Sequence, residues 1–170
     1  MWETITAAAA AESALGAEAL RPEADQQREP VFSALAPSEH ALGLETIYEG
    51  YLVHYGRSRL FAPAERTTVL LLGDYLYAHG LVRVAAAASA AGVNDLAELI
   101  SLCAQLRAEE RDGDGAAWAG TAALLGTGRL DEPRAALRAG DAEPLLALSR
   151  AAAGDGAVDT ALAAHVRRLG

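Results

Sequence analysis

Leu70-Leu71-Leu72-Gly73-Asp74-Tyr75-Leu76-Tyr77-Ala78 is an apolar helical run with one carboxylate and one glycine at its centre. The run is apolar on all sides, which a solvated helix is not, so it reads as the interior helix of an all-α bundle. Pro63 and Glu65 open this helix, and the pattern extends to about Ala91, with Gly92 as its stop. It is expected to be the longest and most buried element. A carboxylate inside it must be paired or functional. Asp74 shares a face with Thr67, Leu70, Tyr77, Ala78 and Leu81, and Arg57, Arg59 or Arg66 is the expected partner. Breaking a buried pair costs about 3–5 kcal/mol, so Asp74→Ala is expected to destabilise the fold. Gly73 and Gly80, seven apart on nearly one face, would let a neighbouring helix approach closely.

Working outward, the preceding helix starts at Ser38, a plausible N-cap, and ends at Gly56. Leu44, Ile47, Tyr48, Tyr51, Leu52 and Tyr55 form its apolar face, with Glu45 and Glu49 expected on a solvated flank. A first helix is expected over Trp2 to Leu20, followed by a polar loop from Glu23 to Pro37 with an apolar patch at Val31 to Leu35. After the central helix, Asn94 or Asp95 is the expected cap of a helix carrying Leu96, Leu99, Ile100, Cys103 and Leu106 inward. Shorter helices follow at Ala116 to Leu125, Glu132 to Ala139, Pro144 to Ala153 and Val158 to Leu169. The expected organisation is one helical domain: residues 1–36 an N-terminal helix and loop, 37–126 the core bundle, 127–170 short helices.

The 170 residues carry a net charge of −9, which argues against nucleic acid and against an anionic membrane surface. Every basic residue is arginine, and alanine is about a quarter of the chain, both consistent with a GC-rich coding bias. The single cysteine, Cys103, excludes an intramolecular disulfide and reads as a buried inert thiol. Asp74, His79 and Arg83 interrupt the longest apolar stretches, so no membrane insertion is expected. With no basic segment leading into a leucine-rich core at the N-terminus, a cytoplasmic location is expected.

Metal and nucleophile motifs fail on their spacing. Glu45 and Glu49 lack the Glu-x-x-His companions of a di-metal bundle. Asp112-Gly113-Asp114-Gly115 would need ligands where Ala116 and Ala123 stand to be a calcium loop, and reads as a flexible acidic turn. His40, His54, His79 and His165 show no zinc spacing, and His165 reads as a complement to a helix dipole.

Leu71 to Ala78 resembles the "LLGDYLLA" helix of the trans-polyprenyl diphosphate synthases. Tyr51-Leu52-Val53-His54 resembles that family's "LVH", although Tyr55 and Gly56 stand where its first aspartates belong. Arg57-Ser58-Arg59 is a loose echo of a paired-arginine segment, and Ala116 to Gly126 of a later "KTAALF" segment without its lysine. Leu96 to Arg107 corresponds to the intervening helix, so the likeness covers Leu42 to Gly126. The loop between His54 and Gly73 is too short for the first aspartate motif, and nothing like the second follows Gly126. Those clusters hold magnesium against a diphosphate, so the chain is not expected to be catalytic alone.

The resemblance implies a reduced small subunit of a heterodimer in isoprenoid biosynthesis. Such a chain would bind a catalytic large subunit, see magnesium only through that partner, and help shape an apolar cavity for an isoprenoid chain. Candidate structural or ligand-lining residues are Tyr51, His54, Tyr55, Arg57, Arg59, Gly73, Asp74 and Tyr77. Two alternatives are a helical interaction module unrelated to isoprenoids and a small apolar-ligand-binding protein using Asp74, His54 and Arg57 in a bundle cavity. Self-association is a further possibility for its partner.

Overall fold

A computed structural model describes residues 1–87 and 89–169 of the chain. Within them are nine α-helices: α1 (Trp2–Glu12), α2 (Ala14–Glu18), α3 (Ala41–Tyr55), α4 (Arg66–Ala85), α5 (Ala90–Ala108), α6 (Asp114–Ala123), α7 (Asp131–Arg138), α8 (Glu143–Ala153) and α9 (Asp155–Leu169). The described residues contain no strand beyond one isolated bridge between Leu20 and Phe61, so the chain is all-α.

Helix α3 occupies the middle. Every residue from Gly43 to Val53 is buried. Helix α4 packs along one side of it, while α6, α9 and the short 3-10 turn at Ser33–Leu35 close the other. The main core joins Ile47, Tyr48 and Tyr51 of α3 to Leu99 and Leu102 of α5 and Trp118 of α6. Phe32 stacks on Trp118 at 5.5 Å and meets Tyr48 edge-on at 5.2 Å. Leu145 of α8 and Val158 and Ala161 of α9 complete this core, so the C-terminal helices pack on the bundle. A smaller cluster seats Ile5 and Ala9 of α1 against Leu72 and Leu76 of α4.

Helix α4 is the longest element, but it is not the most buried, and it ends at Ala85 rather than near Ala91. Its buried positions are Thr68, Leu72, Gly73, Leu76, Gly80 and Val84, a single stripe. Leu70, Leu71 and Val82 face solvent. The apolar run is thus a helix covered on one side only. Gly92 stops nothing; it lies in the first turn of α5, where its N–H donates to the Oγ of Ser89, the residue at the cap. Asp95 is no cap either, being buried within α5 and paired with Arg134 at 3.0 Å. The first helix breaks at Ser13, whose extended backbone and Oγ, accepting from Gly16 N at 3.1 Å, start α2.

Candidate functional site

The spacing of Gly73 and Gly80 meets matching glycines on α3. A Cβ on Gly80 would stand 3.0 Å from the Gly43 carbonyl, and one on Gly50 would stand 2.9 Å from the Gly73 carbonyl. The two helices therefore run antiparallel in near-backbone contact, which leaves no ligand cavity between them. At the end of this seam the His54 ring lies over Gly73, with Nε2 3.2 Å from Asp74 Oδ1. Tyr77 and Tyr55 flank the ring at 5.2 and 5.6 Å between centroids. Burial pushes the Tyr77 phenol above its ordinary range.

Asp74 itself is not buried. Its side chain is 74% exposed, and its partner is His54 instead of an arginine. The stripe of small and apolar residues that docks α4 places Asp74 on the opposite, solvent-facing side.

The buried ion pairs lie where solvated glutamates were expected. Glu45 and Glu49 are 0% exposed, and the Arg59 guanidinium sits between them, 2.6 Å from Glu45 Oε2 and 2.9 Å from Glu49 Oε2. Burial opposes the charge on Arg59, but the two carboxylates outweigh it and hold the guanidinium firmly protonated. Glu45 also accepts from Val31 N and Ser33 N, and Glu49 from Leu60 N and the Ser58 hydroxyl. Trp2 and Tyr48 cover the guanidinium face at 4.8 and 5.1 Å. All of these groups are spent on holding the 29–33 and 58–61 segments to α3, so Arg59 has a structural role. Arg57 is exposed and donates to the Arg167 carbonyl. With Arg21, Arg167 and Arg168, it lines a cleft of about 570 Å³ that also holds Asp25 and Glu29.

A second polar cluster joins α3, α5, α6 and α9. The Tyr48 hydroxyl is 2.9 Å from His165 Nδ1. Tyr51 donates to Asp114 Oδ2, and Arg107 donates to both Tyr51 and Asp114. His165 Nε2 stands 3.5 Å from Asp114 Oδ1. Burial alone would raise the Asp114 carboxyl, but contacts from His165 and Tyr51 and the Arg107 charge hold it well below the usual carboxylate range. Cys103, fully buried nearby, has its thiol pushed well up by burial.

Two expectations fall here. His165 is 2% exposed, a core residue rather than a dipole complement, and Asp114 is a buried anchor that opens α6 rather than part of a loose turn. Neither burial was visible in local spacing: Arg107 is only seven residues from Asp114, but the tyrosines that cover His165 and Asp114 lie 117 and 63 residues away in sequence. Above them lies a cleft of about 520 Å³ walled by Leu146, Leu162, Val166 and Leu169.

Of the residues singled out in the sequence, His54, Tyr55, Gly73, Asp74 and Tyr77 come together at the α3–α4 seam. Tyr51, Arg57 and Arg59 belong to three other places. Among the described residues no group of three or more His, Cys, Asp or Glu side chains is placed to hold a metal ion, and no helix is long and apolar enough to cross a membrane. Compared with known proteins, the chain matches no family profile, no curated protein and no solved structure.

Proposed function

We propose that this protein is a non-catalytic helical accessory subunit that docks on a protein partner through the outer face of α4. The exposure of Leu70, Leu71 and Val82 carries the reading: among the described residues, three of the six exposed large hydrophobics lie on this one helix. Clustered apolar exposure of this kind marks interaction surfaces. The closed glycine seam removes the space between α3 and α4 as a tunnel, so any wall this chain contributes to a shared cavity is that outer face.

The partner class follows from the motif resemblance: a catalytic prenyl diphosphate synthase subunit carrying both aspartate motifs and its magnesium. The juxtaposition of His54 from the "LVH" segment with Asp74 of the "GDYL" helix supports this choice, since the two matched pieces form one local unit.

The test is co-purification with such a synthase encoded in the same genome, followed by product chain-length assay. A defined complex with altered activity or chain length is expected, and Leu71→Asp is expected to abolish it without lowering the melting temperature. Absence of a complex overturns the accessory-subunit reading. A complex indifferent to Leu71→Asp overturns the assignment of α4.

A further inference from the structure

The cleft of about 570 Å³ between the end of α9, the turn after α3 and the segment after α2 collects arginines. Among the described residues, seven of the fourteen arginines stand within ion-pair distance of a carboxylate. Of the arginines outside those pairs, Arg21, Arg57, Arg167 and Arg168 all line this one cleft. In a chain of net charge −9, such a group of unneutralised guanidiniums is the exception. Burial and the neighbouring Arg59 charge both push the Arg168 guanidinium below its ordinary value, which an anion in the cleft would offset.

The walls are fixed by backbone bonds. Arg21 N donates to the Leu60 carbonyl at 2.9 Å, Gln27 N to the Arg59 carbonyl at 3.2 Å, and Arg57 N to the Arg168 carbonyl at 2.8 Å. Two of the guanidiniums are anchored as well. Arg21 Nε donates to the Ser58 carbonyl at 3.1 Å, and Arg57 Nη2 covers the Arg167 carbonyl at the end of α9. Each keeps further N–H groups, since a guanidinium carries five.

Arginines on three segments suit a phosphate, whose oxygens accept from several directions; one or two guanidinium forks saturate a planar carboxylate. Asp25 and Glu29 line the same cleft. They repel a bare anion but accept hydroxyl hydrogens. We propose that this cleft, separate from the α4 face, binds a phosphate monoester of a small sugar or polyol, with the phosphate on the arginines and the hydroxyls on Asp25 and Glu29. The cleft volume is ordinary for a small-molecule site.

Calorimetric titration of the full chain at fixed ionic strength with glucose 6-phosphate, hexyl phosphate and glucose tests this. Glucose 6-phosphate is expected to bind about tenfold tighter than hexyl phosphate, which has no hydroxyls for the carboxylates, and glucose alone is expected not to bind. Arg167→Glu, at an exposed side chain, is expected to weaken glucose 6-phosphate at least about tenfold while the melting temperature holds. Glu29→Gln is expected to weaken glucose 6-phosphate yet tighten hexyl phosphate, because it removes a hydroxyl acceptor and a repelling charge together. Failure of both phosphate esters to bind overturns the site. Hexyl phosphate binding as tightly as glucose 6-phosphate overturns the sugar assignment, and binding indifferent to Arg167→Glu overturns the location.

Discussion

Helices α3 and α4 are both apolar, both carry carboxylates, and share one glycine seam, yet they bury their charges in opposite ways. Helix α3 holds Glu45 and Glu49 at 0% exposure against Arg59, while α4 turns Asp74 to solvent beside His54. The difference lies in how completely the neighbours enclose each helix. Helix α3 is enclosed by α4, α6, α9 and the loop around Phe32. Helix α4 contacts α3, α5 and the N-terminal helices, yet its buried positions form one stripe and Leu70, Leu71 and Val82 stay exposed. Hydropathy makes a segment a helix that can be buried; how completely its neighbours surround it decides whether it is.

The sharpest way to break the comparison is to remove Arg59. Arg59→Met leaves two fully buried carboxylates without a counter-charge, and breaking such a pair costs about 3–5 kcal/mol. Urea denaturation should show a loss of that order, or a chain that does not fold. The sequence placed this effect at Asp74; the structure moves it to Arg59.

Next in size is the seam. A Cβ on Gly50 would meet the Gly73 carbonyl at 2.9 Å and Leu76 Cβ at 3.1 Å, and a carbonyl held in a helix cannot swing aside. Gly50→Ala should cost about 1–3 kcal/mol through forced separation of the helices, against a helix-propensity gain of at most about 1 kcal/mol. The net loss should appear as a lowered melting temperature. A gain in stability would show that the helices stand further apart in solution.

The helical class and the placing of most helices were legible because they rest on local signals. Gly56 does end α3 after Tyr55, and Pro144 stands in the first turn of α8, where proline is tolerated. The close approach at Gly73 and Gly80 was legible for the same reason, since seven-residue spacing sets both on one face. The polar interior was not. Glu45 and Glu49 have the flank pattern of solvated glutamates, and only Arg59, delivered by the turn after α3, reverses it. His165 and Asp114 gain their roles from Tyr48 and Tyr51, distant partners that no window of sequence contains.

That second cluster sharpens the comparison through pH. The Asp114 carboxyl is held below its ordinary value in the folded chain, so its contribution to stability is present above its unfolded value of about 3.9. The contribution is lost as pH falls through the lower folded value. Stability should therefore drop below about pH 4. Asp114→Asn should lose on the order of 1–2 kcal/mol at neutral pH, through its hydrogen bonds to Tyr51 and Arg107. Its stability should then change less than that of the parent on acidification. Parallel pH profiles for the two proteins would assign the acid sensitivity to other carboxylates.

The smallest expected effect bears most on function. Asp74→Asn alters a contact with His54 whose acid is 74% exposed, and solvent screening limits such exposed polar contacts to about 0–1 kcal/mol. Leu71→Ser on the same face should change stability by no more than about 0.5 kcal/mol, because it removes no buried contact. Both substitutions should leave the melting curve of the isolated chain nearly unmoved, while Arg59→Met collapses it. If the two α4 variants melt far below the parent, and by an amount that grows with protein concentration, the outer face of α4 is buried in solution against another copy of this chain. Concentration-independent melting would leave that face free for the partner proposed above. The stability cost of Asp74→Asn, measured across concentrations, thus separates self-association from docking on a different protein.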